Sequence, residues 1–171
     1  MKKLIIAAAA LAAVTAATPA AAQATSSTPR ATANARLIKP LTLTALRNLD
    51  FGTIVIGSAS VADVVSINAA GVVSCGSSGN LSCSGSPTSA GYRITGTQGQ
   101  VVVVSSASPS YTLTGSNGGT LAFTPVLPAN ITLGNSGAPG NDFSVGGSIA
   151  LAANQQDGLY SGQIDIQVAY Q

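Results

Sequence analysis

Past residue 23 this chain has no stretch in which apolar residues recur at helical spacing, but several in which they recur at every second position. Ile164-Asp-Ile166-Gln-Val168-Ala-Tyr170-Gln171 alternates most cleanly. A period of two demands an extended strand with one buried face, here Ile164, Ile166, Val168 and Tyr170. Other candidate strands are Phe51 to Gly57, Val61 to Ile67 (with Asp63 out of place), Val72-Val73, and Tyr92 to Thr95. Val101 to Val104 is a β-branched run of the kind expected of a strand covered on both faces. Tyr111 to Thr114 and Leu121 to Thr124 flank Ser116-Asn117-Gly118-Gly119, a strong hairpin signal. Phe143 to Leu151 reads as a strand bulged at Gly146-Gly147. Near the start, Ala31, Ala33, Ala35, Leu37, Leu41 and Leu43 occupy one face of an alternating stretch, interrupted at Ile38-Lys39-Pro40. Many short strands separated by Gly, Pro and Asn turns, without repeats or an interdomain linker, predict an all-β sandwich.

Composition removes most chemistry. Charged residues are 7% of the chain, against about 25% in ordinary globular proteins. There is no His, Glu or Trp. Without His or Glu, the side chains that usually move protons near neutral pH are missing. Histidine-based zinc sites are excluded, and two cysteines cannot form a four-thiolate site. Seven Lys and Arg are too few to suggest the basic stripe of a nucleic-acid binder. No Ser has a suggestively placed base, and G-x-S-x-G is absent. Asp142 beside Asn141, and Asp157 near Asn154, lack the spacing of a calcium loop, and Asp157-Gly158 is a turn pair. Asn80-Leu-Ser82 and Asn130-Ile-Thr132 match the glycosylation triplet, which is common by chance in Ser/Thr-rich chains. The sequence therefore predicts a non-enzyme, with no catalytic, cofactor-binding or metal residues.

Met1-Lys2-Lys3, the apolar run Leu4 to Val14, and Pro19-Ala20-Ala21-Ala22-Gln23 form the three regions of a secretory signal peptide. The apolar run is shorter than the ~20 residues that a membrane span needs. Cleavage is expected between Ala22 and Gln23, which leaves no membrane span and directs the chain to the periplasm, cell surface or medium. Residues 23–30 are small and polar and are expected to be a flexible arm; residues 31–171 are expected to form one sandwich domain. Residues 23–47 carry four cations and no carboxylate, whereas residues 48–171 carry one Arg against five Asp. A basic arm and a mildly acidic body are complementary, within a chain or between neighbours. Cys75 and Cys83 suit an oxidising compartment, and the simplest reading is one local disulfide closing a loop.

Leu41-Thr-Leu43, Leu49-Asp-Phe51-Gly-Thr-Ile-Val-Ile-Gly57 and Gly158-Leu-Tyr160-Ser-Gly162-Gln-Ile-Asp-Ile-Gln-Val-Ala-Tyr170 resemble the bacterial secreted family catalogued as domain of unknown function 4402. That family is in turn similar to chaperone–usher pilins and spore-coat U-type proteins. The resemblance implies an immunoglobulin-like sandwich that lacks a strand until a partner supplies one. The two cysteines, confined to one mid-chain loop, depart from the typical pilin pattern. The expectation is an exported structural subunit of a fibre or coat that assembles by strand addition, with Ala31, Ala33, Ala35 and Leu37 as candidate donor strand. Its partners would be further copies or related subunits, with a periplasmic chaperone as a further candidate. The rival reading is a monomeric surface adhesin that binds glycan or protein through loops such as Gly134 to Asn141.

Overall fold

The structure, a computed structural model, describes residues 23–57 and 61–171. The expected signal peptide lies outside the described residues, as does Ala22 of its cleavage site. The chain divides into two units at Arg36. In the first, residues 23–36 are exposed and form no strand. In the second, Leu37–Gln171, strands begin only at Thr42. The alternating stretch from Ala31 thus becomes a strand only in its last part. Ala31, Ala33, Ala35 and Leu37 are exposed, with Leu37 at 87%. Alanine is a poor strand former and its methyl buries little, so alternation among alanines gives weak drive.

Thirteen strands and no helix form the described part of this unit. They are β1 (Thr42–Arg47), β2 (Thr53–Ile56), β3 (Asp63–Ile67), β4 (Val73–Cys75), β5 (Leu81–Ser84), β6 (Ala90–Thr95), β7 (Val101–Ser106), β8 (Tyr111–Gly115), β9 (Thr120–Val126), β10 (Ile131–Thr132), β11 (Asn141–Leu151), β12 (Tyr160–Ser161) and β13 (Ile166–Tyr170). The large sheet runs β1-β6-β11-β9-β8-β12, with β3 and β4 added beside β11. Two smaller sheets, β10-β7-β13 and β2-β5, complete the sandwich, and every pairing is antiparallel.

β11 organises the interior. From Phe143 onward its odd-numbered residues Phe143, Val145, Gly147, Ile149 and Leu151 are all buried. The first half pairs with β6 and the second with β3. Two hydrophobic clusters follow. One gathers Tyr92, Ile94, Val102, Val104, Leu133, Phe143 and Val145. The other gathers Val65, Leu121, Phe123, Ile149 and Leu151. Leu49 and Ile164 pack against both.

Gly146-Gly147 is not a bulge, since β9 keeps its register through both residues. The glycines are there because neighbours press close. A Cβ at Gly147 would overlap the Phe123 ring, and one at Gly146 the Ile67 carbonyl. The hairpin at Ser116–Gly119 joins β8 to β9, with Gly118 and Gly119 both at positive φ. In β7, Val102 and Val104 are buried while Val101 and Val103 are half-buried, so the valine run is covered fully on one face only. Tyr160-Ser161, shortly after the Asp157-Gly158 turn pair, is a short strand of the large sheet, paired with β8. The chain then crosses to the three-stranded sheet at β13.

Candidate functional site: an open seam between two edge strands

β1 pairs only with β6, and β13 only with β7, among the described strands. Each therefore presents an unpaired backbone edge. Leu41 and Leu43 on one side, and Ile164, Ile166, Val168 and Tyr170 on the other, pack against the same cluster. All six are half-buried. Ile164, Ile166, Val168 and Tyr170 do share one face, alternating with exposed Asp165, Gln167 and Ala169. Ile164 precedes the strand proper, which starts at Ile166.

One end of the seam is fastened by Tyr170. Its hydroxyl donates to the Lys39 carbonyl at 2.7 Å and accepts from the Thr97 amide at 2.8 Å. The Lys39 amide donates to Thr97 Oγ1 at 2.6 Å. Gly96 lies where a side chain would collide with the Tyr170 hydroxyl, Leu41 and Leu133. Thus the Tyr that sequence periodicity assigns to the core also bonds the chain leading into β1.

At the other end the two strands part, and a cleft of about 960 Å³ opens between Ala45–Gly52 and Ile164-Asp165. Its apolar lining includes Leu49, Phe51, Leu113, Phe123 and Ile164. The Phe51 ring meets Phe123 edge-on, with centroids 6.2 Å apart. The rim is polar. Asp50, Asp157 and Asp165 line it, with Arg47. The Arg47 guanidinium is held by the Ser89 carbonyl at 2.8 Å and by Ser89 Oγ at 3.1 Å. The Asp50 carboxylate caps the Gly52 amide at 2.8 Å. The backbone at Asp165 is fixed because its carbonyl accepts from the Tyr111 hydroxyl at 2.8 Å. Leu159, at the same rim, is 77% exposed.

Cys75 and Cys83 form one disulfide that links β4 to β5 and closes the loop between them. The loop is tied down a second time by the residue that looked misplaced in its strand. The Asp63 carboxylate accepts from the Ser77 and Ser78 amides, the Ser78 hydroxyl and the Val64 amide. These bonds hold its pKa far below the usual carboxylate range, the Ser78 hydroxyl contributing most. On the outer face of β6 and β11, Arg93 and Asp142 are register partners and pair through two bonds of 2.6 and 2.7 Å. That bidentate contact lowers the Asp142 pKa and raises that of Arg93. Burial raises the Tyr92 phenol.

The Gly134 to Asn141 loop turns its polar groups inward. Asn135 exchanges bonds with Gly140, the Gly134 amide donates to Asn141 Oδ1, and the Gly137 amide donates to the Gly96 carbonyl. Among the described residues no three Cys, His, Asp or Glu cluster as a metal site would require. The described residues also contain no helix long and apolar enough to cross a membrane.

Periodicity singled out the β13 face but not the cleft. Leu49-Asp-Phe51, Leu113 and Phe123 come from three separate segments, each legible as a candidate strand or motif, but nothing in the sequence indicated that they meet at one cleft.

The family model described as "Domain of unknown function (DUF4402)" matches residues 41–170, most of the chain. The protein belongs to that family. Among curated proteins and solved structures, none matches it. The disulfide, with no membrane-crossing helix described, is compatible with an exported protein.

Proposed function

We propose that this protein is a non-enzymatic structural subunit of a cell-surface fibre or coat that assembles by β-strand addition. The carrying observation is the pair of unpaired edges, β1 and β13, that flank one half-covered hydrophobic face. An extended segment laid along such an edge gains main-chain hydrogen bonds, and its alternate side chains enter the apolar seam. The immunoglobulin-like and pilin-like character implied by the family resemblance agrees with a sandwich that receives a strand. The adhesin reading is the weaker one, because the Asn135 side chain and the Gly134 and Gly140 amides of the Gly134 to Asn141 loop are already bonded within the loop.

Sedimentation velocity on the secreted protein over a range of concentrations tests the proposal. Concentration-dependent oligomers that dissociate when Val168, whose amide lies in β13, is replaced by Pro are expected. A protein that stays monomeric at millimolar concentration, or assembles equally well with Val168→Pro, contradicts strand addition at this edge.

A further inference from the structure

The β2–β5 ribbon stands apart from both larger sheets. Among the described strands, β2 and β5 pair only with each other. A lone two-stranded ribbon is marginal in water, so its order must come from what it touches. Ile54, Leu81 and Cys83 pack against the second cluster. At the base, Asp50 and Thr88 exchange two backbone bonds of 2.8 Å. Cys83 is joined covalently to Cys75 of β4, a strand with which β5 does not pair. The Asp63 clasp holds Ser77 and Ser78, which precede β5, and so does not fasten the ribbon itself. A pocket of about 300 Å³ opens on the disulfide, lined by both cysteines with Phe51, Val73, Ser84 and Pro87. Phe51 also borders the large cleft, as do Ile54 and Ile56 of β2. The chain beside Phe51 presses on the strand that carries Cys83, since a Cβ at Gly52 would overlap the Ser84 carbonyl. One wall of the cleft is therefore a ribbon whose covalent attachment faces a pocket of its own.

We infer that Cys75–Cys83 is a thiol–disulfide exchange site for a dithiol, and that the bond latches the β2–β5 wall of the cleft. One thiolate of the dithiol attacks a cysteine sulfur, the Sγ–Sγ bond breaks, and the departing thiolate takes a proton. The second thiol of the reagent then resolves the mixed disulfide. The two cysteines gain two electrons and two protons, and the dithiol becomes a disulfide. Both cysteines are half-buried and line the pocket, so the folded chain offers the bond without first opening. After reduction Asp63 still holds Ser77 and Ser78, but β5 is left with the burial of Ile54 and Leu81 and with its base. The ribbon then leaves its place for part of the time, and Phe51 moves with it off the Phe123 ring. The rest of the sandwich is unaffected, because β11 and its partners take no backbone bond from β2 or β5. None of this depends on strand addition.

The test uses the full secreted chain and dithiothreitol as the dithiol. Reduction of the folded protein, followed by thiol labelling, should be first order in reagent and unchanged by urea below the unfolding transition. In the reduced protein, hydrogen exchange at the amides of β2 and β5 should quicken at least about tenfold, while β11 keeps its protection. The neutral apolar dye Nile red should brighten on reduction, as the cleft floor is uncovered, and reoxidation should reverse both changes. Cys75→Ser/Cys83→Ser should show the same exchange pattern without reagent. Should that variant fail to fold, the reduced wild-type chain still decides. A disulfide that yields only as fast as the whole chain unfolds overturns the exchange site. Reduction that leaves β2 and β5 as protected as before overturns the latch. Exchange that quickens equally in β11 would mean that the bond supports the entire sandwich, which also overturns it.

Discussion

Asp63 shows how one residue can contradict a pattern for a structural reason. In the run Val61 to Ile67 a carboxylate weakens the strand signal, yet Asp63 begins β3 and clasps Ser77 and Ser78 across the disulfide loop. Nothing local in the sequence announces this, because the partners lie 14 and 15 residues away. The pKa depression has a definite sign for stability. The folded-state pKa lies below the unfolded value, so the contribution is complete above about pH 4 and is lost as pH falls. Asp142, lowered by Arg93, acts in the same direction. Asp63→Asn should therefore lower the melting temperature at pH 7, and the gap from wild type should narrow between about pH 4 and pH 2. Thermal melts across that range check it; a gap independent of pH would show that the carboxylate's charge is irrelevant to the clasp. Cys75 and Cys83, by contrast, were legible, because two cysteines around a Gly/Ser segment leave one simple pairing.

For single elements, period two was a good guide in β13, where the apolar residues are large, but not at Leu37, which is 87% exposed. Ile164, Ile166, Val168 and Tyr170 fall on one face as expected, because a one-residue slip would expose all of them. The guide weakened at Ala31 to Ala35, where small side chains alternate without enough area to impose a strand. It was silent on β10 and β12, whose two residues each are too short to display any period. It misjudged Gly146-Gly147, because a glycine demanded by a distant ring looks the same in sequence as one demanded by a bulge. The two faces of β13 give a direct check. Ile166→Asp places a charge against the cluster around Val102 and Val104 and should cost about 3 kcal/mol or more. Gln167→Asp lies on the exposed face and should change stability by less than about 0.5 kcal/mol. Denaturant melts of the two variants measure the difference, and similar costs would mean that β13 faces the other way. Gly147→Ala should cost about 1–3 kcal/mol through overlap with the Phe123 ring, read by the same melts.

In the unit Leu37–Gln171 the two hydrophobic clusters are not independent. β11 runs through both, and Leu49 and Ile164 touch both. The cleft lies at this junction, bordered by Tyr92 from one cluster and by Phe123 and Ile149 from the other. Whatever occupies it therefore stabilises both clusters together. Anything that binds the native state alone raises stability by RT ln(1 + [L]/Kd), about 2.7 kcal/mol when the ligand stands at a hundred times Kd. Where the ligand is another copy of the protein, its concentration is the protein's own. Differential scanning calorimetry should then give one transition whose midpoint rises with protein concentration. Phe123→Ala, in the cluster remote from Tyr170, should remove about 3–5 kcal/mol and keep the transition single. Two transitions, with only the lower one responding to concentration, would mean that β11 fails to couple the halves and that assembly stabilises just one of them. A single transition at a fixed midpoint over a hundredfold range of concentration would mean that the sandwich gains nothing from its neighbours, and strand addition would lose its thermodynamic basis.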